Sequence, residues 1–288
     1  MPELPEVESL AHDLGRRLDG RAIVKVHVPQ FSALKTFDPP VTALEGTLVD
    51  GVGRHGKFLD IEASGVHLVL HLARAGWIRW RDEVPALPPK PSTKSTLAVR
   101  LVLDDGSGLD VTEAGTRKSL ALYVVRDAQE VPGVASLGPD PLTDDFTREK
   151  LGEILAAEGR KQLKGVLRHQ GTIAGIGNAY SDEILHAARM SPFKPADSLT
   201  DDELTTLHDA LRGTLGDAVA RSAGTAASEL KSEKKTNMAV HGRTGQACPV
   251  CGDTVREVSF ADSSLQYCAT CQTGGKPLAD RRMSRLLK

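Results

Sequence analysis

The chain opens Met1-Pro2-Glu3-Leu4-Pro5-Glu6, with a proline directly after methionine and two carboxylates within the next four positions. Methionine ahead of a residue as small as proline is normally removed, which would expose Pro2 as a secondary amine. A free α-amino group has a reference pKa of about 8, so an appreciable fraction is neutral and nucleophilic near neutrality. Such an amine can attack a sugar C1′ or an aldehyde and form an imine, with Glu3 beside it to move protons. The same residues also read as a plain helix start, because Pro and Glu are favoured in a first turn. The local pattern leaves both readings open.

A second chemical cluster lies at the other end. All four cysteines fall in Cys248-Pro249-Val250-Cys251 and Cys268-Ala269-Thr270-Cys271, a CxxC pair separated by sixteen residues. Each CxxC lets two thiolates converge on one ion, and the connection is long enough for two strands of a hairpin. Four thiolates leave no open coordination position, so the expected Zn2+ is single and structural. Two redox CxxC pairs or buried free thiols are the alternative.

Clustered rather than dispersed cysteines point to reduced thiols and a cytoplasmic protein. The first ten residues carry three glutamates and no basic residue, unlike a secretory signal. No apolar run approaches the roughly 18 residues of a membrane span, so no membrane partner is expected. The 36 Lys and Arg against 38 Asp and Glu give a net charge of −2, which argues against bulk coating of nucleic acid. The balance is uneven, however. Residues 231–288 hold ten Lys and Arg against five Asp and Glu, a basic segment around the cysteines. It fits a nucleic-acid finger, and equally a folding or protein-contact device.

These groups need elements to position them. Leu4, Val7, Leu10, Leu14 and Leu18 recur at helical spacing behind the opening residues. Short β-type runs follow at 23–28, 41–49, 58–61, 66–72, 96–103 and 120–125, with Asp104 to Gly108 as a hairpin turn. Their spacing predicts a β-sandwich or barrel. Residues 85–95, with four prolines, read as a loop, and 136–141 as an interdomain linker. Helical patterns then cover 146–157, 163–169, 179–188 and 201–219, with a glycine turn at 171–178. Residues 222–238, rich in Ser, Ala and Lys, read as a mobile loop.

Several blocks carry a resemblance to a known family. MPELPEVE is similar to the N-terminal signature of the Fpg/Nei family, the formamidopyrimidine-DNA glycosylases and endonuclease VIII-like enzymes, and its Leu4-Pro5 is closer to the Fpg branch. Arg54-His55-Gly56-Lys57 resembles the family loop that carries a lysine. His71-Leu72 followed by Gly76 resembles its HLGMSG strand, and Leu137 to Leu142 its interdomain LGPEPL. Ile173 to Leu185 resembles its helix–two-turn–helix, and His241-Gly242-Arg243 leads into the cysteines as its YGR does.

The resemblance implies an α+β multidomain fold: an N-terminal helix and β-sandwich over 1–137, a helical helix–two-turn–helix domain over 138–238, and a β-hairpin zinc finger with basic tail over 239–288. It implies a base-excision-repair DNA glycosylase and abasic-site lyase that flips a damaged base out of double-stranded DNA. Pro2 would attack C1′, Glu3 would serve as acid and base at the sugar, and Glu6 would hold the site in register. Lys57 would bind phosphate and assist β- and then δ-elimination. His71, Lys164, Asn178 and Arg243 are implied as DNA contacts. A monomer without an organic cofactor, in the bacterial cytoplasm with the nucleoid, is implied too.

This sequence departs from the family at instructive positions. Arg74 stands where HLGM has methionine, and Glu113 to Ser119 replace the DPRRFG loop, so Arg74, Arg117 or Lys118 are left to fill the space of a flipped base. Ser263 stands where the finger has a phosphate-gripping arginine, and Arg281 and Arg282 of the tail are candidates to compensate. His169 replaces an aspartate before the glycine turn, and the 224–238 loop is short. The departures leave the preferred base open among oxidised pyrimidines, ring-opened purines, hydantoins and abasic sites. A catalytically weak damage-binding protein of the same fold, or an enzyme acting mainly as a lyase, is the alternative; a plain zinc-ribbon scaffold is disfavoured by Pro2, Glu3, Glu6, Lys57 and Asn178 together.

Overall fold

The computed structural model describes residues 1–85, 96–260 and 263–279. Two compact units form, one of Met1–Leu137 with Arg221–Leu230, the other of Gly138–Ala220 with the chain from Lys231 onward.

In the first unit, α1 (Leu4–Leu18) starts at Pro5 and Glu6 and ends with Arg16 and Arg17, the charge order a helix dipole favours. Its Leu4, Val7, Leu10, Leu14 and Leu18 are all buried. Two antiparallel sheets follow. One orders its strands β1 (Ile23–His27), β6 (Leu97–Leu103), β7 (Gly108–Glu113), β5 (Gly76–Arg81); the other β2 (Val49–His55), β3 (Phe58–Ala63), β4 (Val66–His71), β8 (Ala121–Val125). Leu59, Ile61, Leu68 and Leu70 of one sheet share a core with Ile78, Val99, Leu101 and Val111 of the other and with α1. The result is a β-sandwich with a helix packed on its core. A single helical turn, α2 (Pro132–Ala135), comes after β8 and buries Val134.

Three local expectations need correction. The run at 41–49 is not one strand: a 3-10 turn, Val41–Leu44, follows Pro39-Pro40, Gly46 takes φ 83°, and the strand begins at Val49. Strands β5 and β7 have no counterpart among the sequence runs. Charged residues hide them: Asp110 of β7 is 2% exposed because Arg100 of β6, its register partner, bonds it through Nε at 2.7 Å and Nη2 at 2.9 Å. Arg81 of β5 adds a bond of 2.9 Å. Residues 222–238 are also not simply a loop, since Leu230–Asn237 form a helix whose Leu230 is buried in the first unit's core. The loop expected at 85–95 falls, apart from Pro85, outside the described residues.

The second unit holds α3 (Arg148–Glu158), α4 (Leu163–Arg168), α5 (Asn178–Ala187) and α6 (Asp201–Ser222), and then the hairpin of β9 (Val255–Ser259) and β10 (Ser264–Cys268). α3 begins on Thr147, whose hydroxyl accepts from Lys150 N, and ends at Gly159 with φ 59°. Among the described residues, no helix is long and apolar enough to cross a membrane.

Burial opposes ionisation of Asp110, but hydrogen bonds and charge from Arg100 and Arg81 overcome it and hold the carboxyl below its ordinary range. Asp110→Ala leaves Arg100 buried without its anion and should lower unfolding stability by about 3 kcal/mol in urea denaturation at pH 7. Because the folded carboxyl is the stronger acid, its contribution is complete above the usual carboxylate range and disappears as pH falls through the folded value, so the gap between the two proteins should narrow in acid.

Candidate active site and zinc centre

In the first unit the N-terminus of α1 is locked by its own carboxylates. Glu6 Oε2 accepts the Glu3 backbone N–H at 2.8 Å, while the Glu3 carboxylate accepts the Glu6 backbone N–H, a reciprocal capping box. Pro2, Glu3 and Glu6 are buried, Glu3 and Glu6 at 3% and 2% exposure. The candidate acid–base partner is therefore fixed at the N-cap of α1, and the candidate nucleophile is the residue just before it.

Lys57 occupies the two-residue turn between β2 and β3, where Gly56 takes φ 55°. Arg54 ties this turn to α1: its Nε reaches Glu8 Oε2 at 2.6 Å and its Nη1 the Gly56 carbonyl at 3.1 Å. Glu8 and Arg54 thus bracket the Lys57 turn against the helix that Glu3 caps. Sequence reasoning gave neither residue a role. The signal was a long-range ion pair, which spacing does not reveal.

His71 lies opposite Phe58 in the β3–β4 register, its ring centroid 4.7 Å from that of Phe58. Desolvation, and then the Lys57 ammonium, push the imidazole down to about 4, so it is neutral at pH 7 and serves as an uncharged N–H donor or acceptor.

The departures cluster on two joined turns. Leu72 to Gly76 forms a tight turn closed by Gly76 N to Leu72 O at 2.8 Å, with Ala73 held at φ 50° and Arg74 exposed. A Cβ at position 76 would lie 2.1 Å from that carbonyl oxygen, so only glycine fits. Ala114 N bonds Ala75 O at 3.3 Å, joining this turn to the 114–119 loop that carries exposed Arg117. Buried Glu113 organises that loop by accepting Ser119 N at 2.6 Å, Leu120 N at 2.9 Å and the Gln30 amide at 3.2 Å. Lys118 Nζ folds back onto the Glu113 carbonyl at 2.6 Å, leaving Arg117 as the loop's outward cation.

In the second unit, Gly138 N bonds Gln170 O at 2.9 Å, and a Cβ on Gly138 would meet Thr172 O at 2.5 Å. The Gln170 side chain stitches the following turn through Ile176 O at 2.7 Å and Gly175 N at 3.1 Å. α5 emerges from it with Asn178 as its first residue. The Asn178 Nδ2 donates to Ser264 O at 2.7 Å, and its Oδ1 is buried with no hydrogen-bond partner among the described residues. Lys164 is 5% exposed; its ammonium bonds Asp182 Oδ1 at 2.6 Å, Ser181 Oγ at 2.9 Å and the Asn178 carbonyl at 3.1 Å. It is placed to hold the start of α5 rather than to reach outward.

Two carboxylates missed in the sequence, Asp182 and Glu183, fasten the rest. Asp182 Oδ2 accepts from His241 Nδ1 at 2.8 Å and from Gln266 N at 3.2 Å. Glu183 accepts the backbone N–H groups of Ala239, Val240 and His241 at 2.6, 3.0 and 2.8 Å; burial raises its carboxyl despite those bonds. Arg243 bonds Met238 O at 3.1 Å through Nη1. Ser263 sits in the hairpin turn, its carbonyl accepting Phe260 N at 2.7 Å. Arg281 and Arg282 lie outside the described residues.

Cys248, Cys251, Cys268 and Cys271 bring their sulfurs within 4.8 Å of one another. Cys248 and Cys271 are 3.9 Å apart and Cys251 and Cys268 3.4 Å, close to the roughly 3.8 Å edge of a tetrahedron with Zn–S bonds of about 2.3 Å. The donor set and its spacing fit a structural zinc ion.

The arrangement has counterparts among known proteins. Residues 1–120 match the formamidopyrimidine-DNA glycosylase N-terminal domain, 137–229 the formamidopyrimidine-DNA glycosylase H2TH domain, and 245–274 the zinc finger found in FPG and IleRS. The formamidopyrimidine-DNA glycosylase of Symbiobacterium thermophilum is 34% identical across 98% of this chain and 93% of its own length. An uncharacterized formamidopyrimidine-DNA glycosylase-like protein of Mycobacterium tuberculosis is 59% identical over 157 residues, 54% of this chain and 98% of that protein. The crystal structure of the MutM (Fpg) protein of Thermus thermophilus superposes with a TM-score of 0.79 at 33% identity, covering 96% of this chain and all of that one. The Lactococcus lactis enzyme bound non-covalently to DNA containing an AP site gives 0.80 at 26% identity, covering 94% and 99% of the two chains. With its three domain matches in order and its full-length relatives, the chain belongs to the formamidopyrimidine-DNA glycosylase family of base-excision DNA glycosylases with abasic-site lyase activity.

Proposed function

We propose that this chain excises damaged bases from double-stranded DNA with Pro2 as its nucleophile and then cleaves the strand as a lyase. The observation that carries this reading is the locked first turn of α1, which holds Glu3 beside Pro2 and is bracketed through Glu8 and Arg54 to the Lys57 turn. With Met1 removed, the neutral Pro2 nitrogen attacks C1′ of a flipped nucleotide. The glycosidic bond breaks and the base leaves with its electron pair. The Pro2 N–H proton goes to the departing base, and Glu3 gives a proton to the ring oxygen as the sugar opens to an iminium ion. The imine acidifies C2′; loss of a C2′ proton expels the 3′ phosphate, and a second elimination expels the 5′ phosphate. Lys57 binds phosphate during these steps, next to a neutral His71 that does not compete with it for the anion.

The second unit supplies the grip. Asn178 takes a backbone phosphate, with Lys164 as the positioning residue behind it. Arg243 and the tail arginines Arg281 and Arg282 add phosphate contacts. Arg74 and Arg117, on the joined turns, stand in for apolar wedges at the space a flipped base leaves, while Lys118 braces the loop. In functional terms 1–137 is the catalytic domain, 138–238 the DNA-gripping helical domain and 239–288 the zinc finger and tail. The protein acts as a monomer in the bacterial cytoplasm, associated with the nucleoid.

Borohydride reduction during incubation with abasic-site duplex should trap a covalent protein–DNA complex. A variant that retains Met1, which keeps the Pro2 nitrogen in a peptide bond, should show no trapped complex on a denaturing gel; full trapping would reject the imine at Pro2. A second outcome concerns His71. Its folded pKa lies below the ordinary 6.5, so as pH falls from 6.5 to about 4 the unfolded chain binds a proton that the folded one refuses. Stability is therefore complete above pH 6.5 and falls through that window, by at most about 3 kcal/mol. His71→Gln should remove this part of the acid sensitivity, measured by urea denaturation at about pH 7 and about pH 4.5.

A further inference from the structure

α5 does more than present Asn178. Successive polar residues along the helix fasten different parts of the zinc region: Asn178 holds Ser264 of β10, Asp182 holds Gln266 and His241, and Glu183 holds the backbone of 239–241. Residues spaced by three and four share one side of a helix, and the series continues to His186. There His186, 5% exposed, places Nε2 at 3.3 Å from Cys248 Sγ.

His186 is not a fifth ligand. Among the described residues, the groups close enough to share one ion are the four cysteines, and His186 stands outside that set. When zinc is held, Cys248 is a thiolate, which can only accept a hydrogen bond. The proton must then sit on Nε2, which fixes the tautomer. This donor comes from α5, outside the knuckle of Cys248 itself.

We propose that His186 is a positioning residue of the zinc centre, donating its Nε2–H to the Cys248 thiolate and tying the metal site to the helix that begins with Asn178. The donor holds the sulfur's orientation, so departure of this ligand is slowed. Metal retention is thereby built into α5 as well as into the two CxxC turns.

The test uses the full-length zinc-loaded protein challenged with excess chromogenic chelator, and the cobalt-substituted protein read by absorbance. His186→Phe keeps a ring of similar shape but removes the donor. It should release zinc at least about tenfold faster than the parent, in line with the loss of such supporting partners elsewhere, and should shift the sulfur-to-cobalt charge-transfer band. His186→Gln, whose amide nitrogen reaches the Nε2 position, should restore both towards the parent. Release at the parent rate with an unchanged band in His186→Phe would overturn the proposal. If that variant does not fold, His186→Gln and His186→Asn decide, because the shorter amide does not reach the sulfur: slower release from the Gln variant supports the role, and equal release from the two overturns it.

Discussion

A carboxylate removed from water is tolerated only when hydrogen-bond donors meet it, and this constraint shapes each functional loop of the molecule. Glu3 and Glu6 satisfy each other's backbone N–H groups at the start of α1. Glu113 gathers Ser119 and Leu120 and so sets the loop bearing Arg117. Glu183 gathers three consecutive N–H groups ahead of the finger. In each case the acid satisfies backbone that has no ladder or helical partner, and the backbone gives the acid a charge-compatible pocket. Removing any of these carboxylates would therefore leave backbone amides unpaired. The start of α1, the 114–119 loop and the approach to the finger are held by the same physical device.

This explains what could be read in the sequence and what could not. The helix start at Pro5 and Glu6 is local and was legible, while the reciprocal capping of Glu3 and Glu6 came with the structure. The two CxxC knuckles were legible too, because metal ligation fixes both residue type and spacing. Strand β7 was not legible, since its pattern is broken by Asp110 and Glu113, acids that become core residues only when Arg100, Gln30 and the Ser119 amide come to meet them, and β5 was not because Gly76, Trp77 and Ile78 are buried in succession rather than in alternation. The strand expected at 41–49 failed for the opposite reason: Leu44 and Val49 are real core anchors, but the prolines and Gly46 dictate turns between them and leave Leu48 exposed. Leu230 shows how a polar segment is misread when one buried residue anchors it. The Glu8–Arg54 bracket spans 46 positions and belongs to tertiary structure alone.

The net charge of −2 can be reconsidered in the same terms. Many cations here are already committed internally: Arg100 and Arg81 to Asp110, Arg54 to Glu8, Lys164 to Asp182. A total charge counts these as if they faced solvent, although their fields are cancelled over a few ångströms. Arg74 and Arg117 are different, because the turns beneath them are tied by backbone bonds and by Glu113 while their guanidinium groups are left outward. A protein that works on one nucleotide at a time needs such placed charges rather than a broad positive surface. Compensated ion pairs in the interior keep the total near neutrality and the fold rigid. Arg74 and Arg117, each on a stitched turn, have little ordering left to do, which is where preorganisation contributes most to any binding.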